Sequence, residues 1–258
     1  INSKIYSFKK VIYPDGDKSI SIRGFLAGAI SQNTSIISNV LESEDVHSTI
    51  NCLKMLGVTI KKVKKKKYFI NGKGLGSLHL KKNGRLNFGN SGTLARLLIG
   101  ILSTTPGINA ILEGDHSLNK RSMKKVISLM EKFGAYFVPK NKTNFPLRLI
   151  SSEMPIGIDY NANFSAQLKS AVIFAGLNSY GKTKINELQN SRDHTERMLL
   201  DNHKVIKVKK NPKKIIEIYG KKSLKKININ VPNDPSAGAF YSALTLLNQN
   251  SLIKLKNV

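Results

Sequence analysis

The chain has 258 residues, of which 40% are hydrophobic and 22% are charged, a balance typical of a folded globular protein. Its single cysteine excludes an intrachain disulfide and argues against a cysteine-based metal site, and no apolar run is long enough to cross a bilayer. The net charge of +26 predicts anionic partners, which are either nucleic acid or small phosphorylated molecules.

The kind of basic residue helps to separate these two classes of partner. Lysine accounts for 35 of the 42 basic residues, and the lysines cluster at 61–67 and 207–214, where they alternate with apolar residues or occupy expected hairpin tips. Isoleucine and asparagine are also frequent, as an AT-rich coding sequence would produce. We therefore favour a solvated, lysine-rich surface over a nucleic-acid patch.

In chain order, polar turns at 17–19, 90–93 and 164–167 each precede an apolar helix. Positions 18, 92 and 166 are 74 residues apart, which indicates an internal repeat. Each helix leads to a short strand and then to a second, amphipathic helix. The predicted strands are 35–40, 109–112 and 183–187, and the second helices begin at 43–45, 115–119 and 191–193. The first two of these helices end at Gly57 and Gly134, and Asn202 stands at the end of the third as a weaker left-handed cap.

Alternating stretches close each unit as β-hairpins; they are 58–70, 135–149 and 205–219. The predicted unit is therefore β-α-β-α-β-β, repeated three times in an α/β fold, and we place one lobe at 18–232. A further helix start at 234–240 and a strand at 251–258 follow. We expect 1–17 and 233–258 to belong to a second lobe that is mostly missing, because the chain starts at Ile1 and ends inside a strand.

Three copies around an approximate threefold axis would bring equivalent helix starts together at one end of the lobe. Helix N-termini present free N–H groups and a positive dipole end, which suits phosphates and carboxylates. Small or hydrogen-bonding residues and cations stand at these starts: Ser19, Gly92, Thr93, Ser165, Gln167, Lys18, Arg23, Arg121 and Arg192. The pattern predicts a metal-free site for two small anions, although each turn taken singly fits a simple cap. We interpret Asp45 and Asp193 as caps.

The residues at these turns resemble the motifs of the EPSP synthase family. The segment 16–23 reads GDKSISIR against the usual GDKSISHR, and 89–96 reads GNSGTLAR against GNSGTxxR. Further segments resemble GDxSLxKRPM, SAQxKSA, SRDHTERML and VPGDPSSA; they are 114–121, 165–171, 191–199 and 231–236. The matches run in order along essentially the whole chain.

The resemblance implies an enolpyruvyl transferase-like inverted αβ barrel, in which each of two lobes consists of three βαβαββ units. It implies transfer of an enolpyruvyl group from phosphoenolpyruvate to the 5-hydroxyl of shikimate 3-phosphate, with release of phosphate, in aromatic amino acid biosynthesis. We further expect no cofactor, no nucleic-acid or membrane partner, and a monomer when the protein is full length. The lack of a long apolar run and of a recognisable signal peptide predicts a cytoplasmic location. We expect the fragment alone to be inactive.

Site roles also follow from the resemblance. Shikimate 3-phosphate would be bound by Lys18, Ser19, Arg23, Ser165, Ala166, Gln167 and Arg192. Phosphoenolpyruvate would be bound by Lys18, Asn90, Gly92, Arg121 and Gln167. Lys18 would also act in catalysis, whereas an Asp and a Glu that share acid–base work come from the other lobe in this family. The sequence departs from the family pattern at Asp15, Ile22 and Ser122.

Two alternatives stay open at this stage. The sister enzyme that transfers enolpyruvyl to a UDP-linked aminosugar (UDP-N-acetylglucosamine enolpyruvyl transferase) shares the repeat fold but carries a reactive cysteine on a loop. Cys52 falls instead on the apolar stripe of a predicted helix, and the segment 191–199 favours the shikimate enzyme. A basic nucleic-acid-binding module would need aromatic residues interleaved with lysines, whereas Phe and Tyr are scattered and Trp is absent.

Overall fold

A computed structural model describes residues 6–81, 83–210 and 214–258 of this α/β chain. The helices are α1 (Lys18–Ile30), α2 (Glu44–Met55), α3 (Gly92–Ser103), α4 (His116–Asn119), α5 (Lys124–Glu131), α6 (Ala166–Leu177), α7 (His194–Leu199) and α8 (Pro235–Leu246). Within these ranges, none of the helices combines the length and the apolar character that crossing a membrane requires.

The strands are short, and most belong to one of three sheets. They are β1 (Lys9–Ile12), β2 (Thr34–Ser38), β3 (Thr59–Lys64), β4 (Lys67–Asn71), β5 (Arg85–Asn87), β6 (Asn109–Glu113), β7 (Tyr136–Val138), β8 (Leu147–Ile150), β9 (Asp159–Ala162), β10 (Lys182–Glu187), β11 (Ile206–Lys209), β12 (Lys214–Tyr219), β13 (Asn228–Asn230) and β14 (Leu252–Leu255).

The three four-stranded sheets have equivalent orders, β13-β2-β4-β3, β5-β6-β8-β7 and β9-β10-β12-β11. In each sheet the first pair is parallel and the other two pairs are antiparallel. The predicted threefold repeat of βαβαββ units is therefore confirmed. Its first unit takes its opening strand, β13, from the far end of the lobe, where Asn228 pairs with Ile36.

The first helix of each unit lies in the interior. Residues 21–30 of α1 and 168–177 of α6 are buried without a break, and α3 is almost as completely covered. Helices that are apolar on all faces belong in a core, and these three form the centre of the lobe. The α3 and α6 backbones approach closely at Gly100, where an added Cβ would lie 2.5 Å from the Ala171 carbonyl oxygen.

The second helices vary more than the repeat predicted. The helix expected after 115–119 is divided into α4 and α5, because the backbone between them turns to pair Met123 with Thr143. Gly57 and Gly134 end their helices at φ +86° and +91°, as predicted. Asn202 is not a left-handed cap: it is buried, and its side-chain oxygen accepts a hydrogen bond from the Lys225 amide at 2.9 Å.

The two terminal segments pair with each other. β1 and β14 form a parallel two-stranded sheet against which α8 packs, so the helix and strand predicted near the C-terminal end are confirmed. The segments leave the lobe side by side, where the Asp17 amide donates to the Pro232 carbonyl at 2.8 Å. The lobe boundary at 18–232 stays a prediction.

Candidate anion-binding site

The three central helices begin with equivalent side-chain caps. Asp17 accepts from the Ile20 amide at 2.7 Å, and the hydroxyls of Ser91 and Ser165 accept from amides three residues further on, at 3.2 Å and 3.3 Å. A cap satisfies one amide of the first turn and leaves others available at the positive end of the helix. The capped starts are therefore suited to anions.

These starts meet in space, as the repeat predicted. Gln167 on α6 donates to the Thr93 hydroxyl on α3 at 2.9 Å and accepts from Arg96 Nη1 at 3.1 Å. Arg23 on α1 reaches α6, where its Nη2 donates to the Ser170 hydroxyl at 3.2 Å. Side chains from all three helices thus contact one another. We call this group, together with the neighbouring residues of the helix starts, the anion face; it comprises Lys18, Ser19, Arg23, Asn90, Gly92, Thr93, Arg96, Arg121, Ser165, Ala166, Gln167, Ser170 and Arg192.

One half of the anion face is centred on Arg23. Arg23 as a whole is only 3% exposed, and its guanidinium donates to the Thr195 hydroxyl and the Ser19 carbonyl, both at 3.0 Å, in addition to Ser170. These contacts fix the guanidinium among α1, α6 and α7. Ser19 itself is half-buried in the first turn of α1.

Burial and charges of both signs act on Arg23. Burial lowers the pKa of Arg23 to about 10, Asp17 and then Glu196 raise it, and the nearby positive charge of Arg192, the smallest of these influences, lowers it. Arg192 is exposed and precedes α7. Two arginines that repel each other at a helix start would be stabilised by a bound phosphate.

The other half of the anion face surrounds Gly92. Arg121 donates to the side-chain oxygen of Asn90 and, at 3.2 Å, to the Ser117 hydroxyl, while Asn90 donates to Asp115 at 2.8 Å. A Cβ at position 92 would lie 2.8 Å from Arg96 Nη1 and 3.5 Å from Arg121 Nη1. The lack of a side chain at Gly92 therefore keeps space beside the Arg96 guanidinium, with the Arg121 guanidinium close by.

Arg96 belongs to this half, although the sequence analysis assigned it no role. Its Nη1 donates to the Gly92 carbonyl at 3.0 Å and to Gln167, so it connects the two halves. Burial, followed by repulsion from Arg121, lowers its pKa. The available signal was its place at the end of the motif 89–96.

Lys18 lies at the first position of α1 with 46% of its side chain exposed. Its Nζ forms an ion pair with Asp45 at 3.0 Å. Asp45 is thus a partner of Lys18 and not the cap of α2, since Ser43 holds that position. Asp193 does occupy the N-cap position of α7, as predicted, although its side chain accepts no capping hydrogen bond there.

The remaining predicted site residues lie at the start of α6. Ser165 is the N-cap, Ala166 is the first helical residue and Gln167 follows, all half-buried. The structure therefore brings every predicted residue to the three central helix starts or to the loops beside them. Which ligand each residue binds stays a prediction.

A group of buried charges beneath the anion face was also missed from the sequence. Lys169 Nζ lies 2.6 Å from Glu187 and 2.7 Å from Glu196, and Lys214 Nζ lies 2.6 Å from Glu187 and 3.6 Å from Glu196. We call these four residues the ion cluster. Lys169 is the only charged residue of helix α6, and this was the available signal.

The departures from the family pattern lie outside these contacts. Ile22 is fully buried in the core, Asp15 forms an exposed ion pair with Lys66, and the Ser122 hydroxyl accepts from the Lys124 amide. Cys52 is 1% exposed on α2, and burial raises the pKa of its thiol to about 12. A thiol in this state is a core side chain and not a nucleophile.

The chemistry of the anion face is that of an anion receptor with two adjacent centres. Arg23 and Arg192 define one centre, and Arg96 and Arg121 define the other. Helix α6 contacts both centres, since Gln167 accepts from Arg96 and Ser170 accepts from Arg23. Preorganised cations and helix starts bind negative groups and stabilise charge that develops between them.

A family model described as EPSP synthase (3-phosphoshikimate 1-carboxyvinyltransferase) matches residues 3–258. A 3-phosphoshikimate 1-carboxyvinyltransferase from Novosphingobium aromaticivorans is 38% identical over 246 residues, which is 94% of this chain and 55% of the relative. One from Bacillus subtilis is 38% identical over 257 residues, which is 99% of this chain and 58% of the relative.

A solved structure gives the same result for the fold. EPSP synthase from Acinetobacter baumannii superposes with a TM-score of 0.84 at 34% identity, over 98% of this chain and 56% of that protein. The chain thus spans somewhat more than half the length of the relatives it matches.

Proposed function

Because the chain belongs to the EPSP synthase family, we propose that it contributes one substrate-binding half of a 3-phosphoshikimate 1-carboxyvinyltransferase. The reaction transfers the enolpyruvyl group of phosphoenolpyruvate to the 5-hydroxyl of shikimate 3-phosphate. The observation that carries the proposal is the anion face, where α6 contacts arginines of both other central helices. Gln167 accepts from Arg96 of α3, and Ser170, one turn further along α6, accepts from Arg23 of α1. Two phosphorylated substrates match these two centres in number and in charge.

We assign shikimate 3-phosphate to the centre around Arg23. Its phosphate would accept from Arg192, from the unused donors of Arg23 and from Ser19 at the start of α1. Ser165 and Ala166, at the start of α6, would contribute backbone donors and the helix dipole. The buried and fixed position of Arg23 supports this assignment, because little side-chain entropy remains to be lost on binding.

We assign phosphoenolpyruvate to the centre around Gly92. Arg121, held by Asn90, would bind its phosphate or carboxylate, and the space left by the absent Cβ would let the ligand approach the helix start. Arg96 is an added candidate on the basis of its contact with the Gly92 carbonyl. Gln167 would contact both substrates.

The chemical step is an addition followed by an elimination. The 5-hydroxyl oxygen bonds to C2 of the enol and loses its proton, while the methylene carbon gains a proton. The phosphate ester bond of this tetrahedral intermediate then breaks, and the methyl group loses a proton to restore the double bond. Lys18, at the first position of α1, is the residue of this chain that we propose for proton transfer and charge stabilisation.

Complete turnover, in this proposal, also needs acid–base residues from the part of the relatives that this chain does not match. Asp45 neutralises Lys18 in the structure, so ligand binding would have to compete for that ion pair. The cytoplasmic location and the monomeric state stay predictions.

Calorimetric titration with shikimate 3-phosphate tests the proposed function. We expect the chain to bind this ligand and Arg23→Ala to lose about 2 kcal/mol of binding free energy, the value of a charge-assisted hydrogen bond. Arg192→Ala, which changes an exposed side chain, should weaken binding in the same direction. Arg148→Ala is the matched control, because Arg148 Nη1 donates to Asn83 and Asn109, neither of which belongs to the anion face.

Equal heats for wild type and Arg23→Ala would remove the phosphate centre. Binding of a UDP-linked aminosugar in place of shikimate 3-phosphate would favour the sister enzyme. Tight binding of single-stranded nucleic acid that survives Arg23→Ala would favour a nucleic-acid module.

A further inference from the structure

The ion cluster lies directly beneath the Arg23 centre and joins four elements. Lys169 lies on α6, Glu187 on β10, Glu196 on α7 and Lys214 on β12. The Lys169 and Glu187 side chains are fully buried, Glu196 is 3% exposed and Lys214 is 17% exposed. The cluster contains two positive and two negative charges, and their mutual attraction offsets the desolvation cost of burying them.

Stability alone does not explain a buried cluster of four charged side chains. Apolar side chains of similar volume often stabilise a core as well as a buried ion pair does, or better. The polar groups that the cluster contacts therefore indicate what else it does. Those contacts concentrate on Ser191.

Glu187 anchors Ser191 through one carboxylate oxygen. Oε1 accepts from the Ser191 amide and from the Ser191 hydroxyl, both at 2.9 Å, and from Lys169 Nζ at 2.6 Å. Lys169 Nζ also lies 3.5 Å from the Ser191 carbonyl oxygen. All the polar groups of Ser191 thus face the cluster.

The anchored residue lies in a segment without regular structure. Residues 188–193 connect β10 to α7, and Arg192 directly follows Ser191. Beyond it, Thr195 at the start of α7 accepts from Arg23 Nε and donates to Ser170. The path of this segment therefore determines where the Arg192 guanidinium stands relative to Arg23.

We propose that Glu187 is a positioning residue, which holds Ser191 so that Arg192 stands beside Arg23 and both bind the phosphate of shikimate 3-phosphate. This inference rests on the proposed function. Glu187 does not touch the ligand in this arrangement. It acts through the backbone and hydroxyl of Ser191.

The charge state of Glu187 suits an anchor. Burial by itself would raise the pKa of this carboxyl, but hydrogen bonds from Lys169, Lys214 and Ser191 outweigh burial and bring it to about 2. The group is therefore a carboxylate near neutral pH and can accept from three donors at once.

A charge-balanced double variant separates anchoring from folding. Glu187→Leu combined with Lys214→Met removes one charge of each sign, fills the space with apolar groups and leaves the Lys169–Glu196 pair in place. Lys182→Met combined with Glu217→Leu is the matched control. It removes a Lys–Glu pair from β10 and β12 that makes no contact with Ser191.

The first readout needs no ligand. We expect hydrogen exchange of the Ser191 amide to accelerate about tenfold in the Glu187 variant, which is the effect of one lost hydrogen bond. The control should stay within about twofold of wild type. If exchange at Ser191 is unchanged in the Glu187 variant, the inference is overturned, whatever the ligand does.

The second readout is the Kd for shikimate 3-phosphate by calorimetry. The Glu187 variant should bind about tenfold more weakly or worse, since a displaced binding group loses most of its contribution. Adding Arg192→Ala to this variant should then cost less than it costs in wild type, because the two changes remove the same contact. If the losses of affinity from the Glu187 variant and from Arg192→Ala simply add, Glu187 does not position Arg192. The same holds if the Kd is unchanged although exchange at Ser191 is faster. If the wild-type chain does not bind shikimate 3-phosphate, the proposed function is contradicted. The exchange measurement still shows whether Glu187 anchors Ser191.

Discussion

At the scale of single residues, the anion face depends on positive charges held close together. Arg23 and Arg192 form one such pair and Arg96 and Arg121 form the other, and in each pair the neighbour lowers a pKa that burial has already lowered. A bound anion would reduce the repulsion within each pair. The paired arginines therefore indicate an anionic ligand more directly than the many lysines do.

The carboxylate of Glu187 makes acid stability a residue-scale prediction. Its pKa is about 2 in the folded protein, against an ordinary value of 4.5. A depressed carboxyl pKa stabilises the folded state above the ordinary value, and this contribution is lost as the pH falls from 4.5 toward 2. We expect the free energy of unfolding in urea to fall more steeply through this window for wild type than for the Glu187→Leu, Lys214→Met variant. Parallel curves for the two proteins would show that Glu187 contributes nothing to this pH dependence.

At the scale of elements, the site depends on the contact between α3 and α6. Gln167 on α6 can contact Thr93 and Arg96 on α3 only because the two helices run side by side and begin at the same level. Gly100 allows this approach, since its missing Cβ would meet the Ala171 backbone. Backbone atoms cannot move aside as a flexible side chain can.

Gly100→Ala is therefore the element-scale prediction. The added methyl group should destabilise the fold by about 1 to 3 kcal/mol through overpacking, partly offset by the helix propensity of alanine. Gly24→Ala in α1 is the matched control, because its Cβ would meet Ile37 and Ile229 side-chain atoms at 3.3 Å or more. Urea denaturation of both variants measures the difference. Equal stability of the two variants would contradict close packing of α3 on α6.

At the scale of the whole molecule, the segment after the lobe has an unusual surface. Large apolar side chains on or beside α8 and β14 are exposed, among them Phe240 at 80%, Leu247 at 88% and Leu252 at 60%. The chain also matches only 58% of the length of its Bacillus subtilis relative. An exposed apolar surface of this kind is typical of a surface that contacts further polypeptide.

The whole-molecule prediction concerns turnover. We expect the chain of 258 residues to bind shikimate 3-phosphate but to release no phosphate from a mixture of both substrates. Adding a separately prepared polypeptide with the remaining part of the Bacillus subtilis relative should allow phosphate release, measured colorimetrically, and Lys18→Ala should abolish it. Phosphate release by the chain alone would contradict this expectation.

The amino-acid sequence by itself determined the repeated unit, the three central helices and the caps at their starts. These features follow from short-range patterns, namely apolar spacing of 3.6 or 2 residues and cap residues next to them, and the same patterns recur 74 residues apart. The motifs at 16–23 and 89–96 also carried the family and most of the site, because the ligand-facing residues of a helix start are adjacent in sequence. A resemblance of this kind placed residues in the site but could not show what each one contacts.

Only the tertiary structure decided the closure of the first sheet by β13, the bridge from Arg96 to Gln167, the pairing of Lys18 with Asp45 and the ion cluster under Arg192. Each depends on side chains or strands that lie far apart in the chain, such as Asn228 beside Ile36. Local propensity does not predict such pairs, because tertiary packing, burial and charge balance determine which partners meet. In the sequence, Lys169 is an unexplained charge in a largely apolar helix. The structure explains it, because Glu187 and Glu196, from two other elements, pair with it.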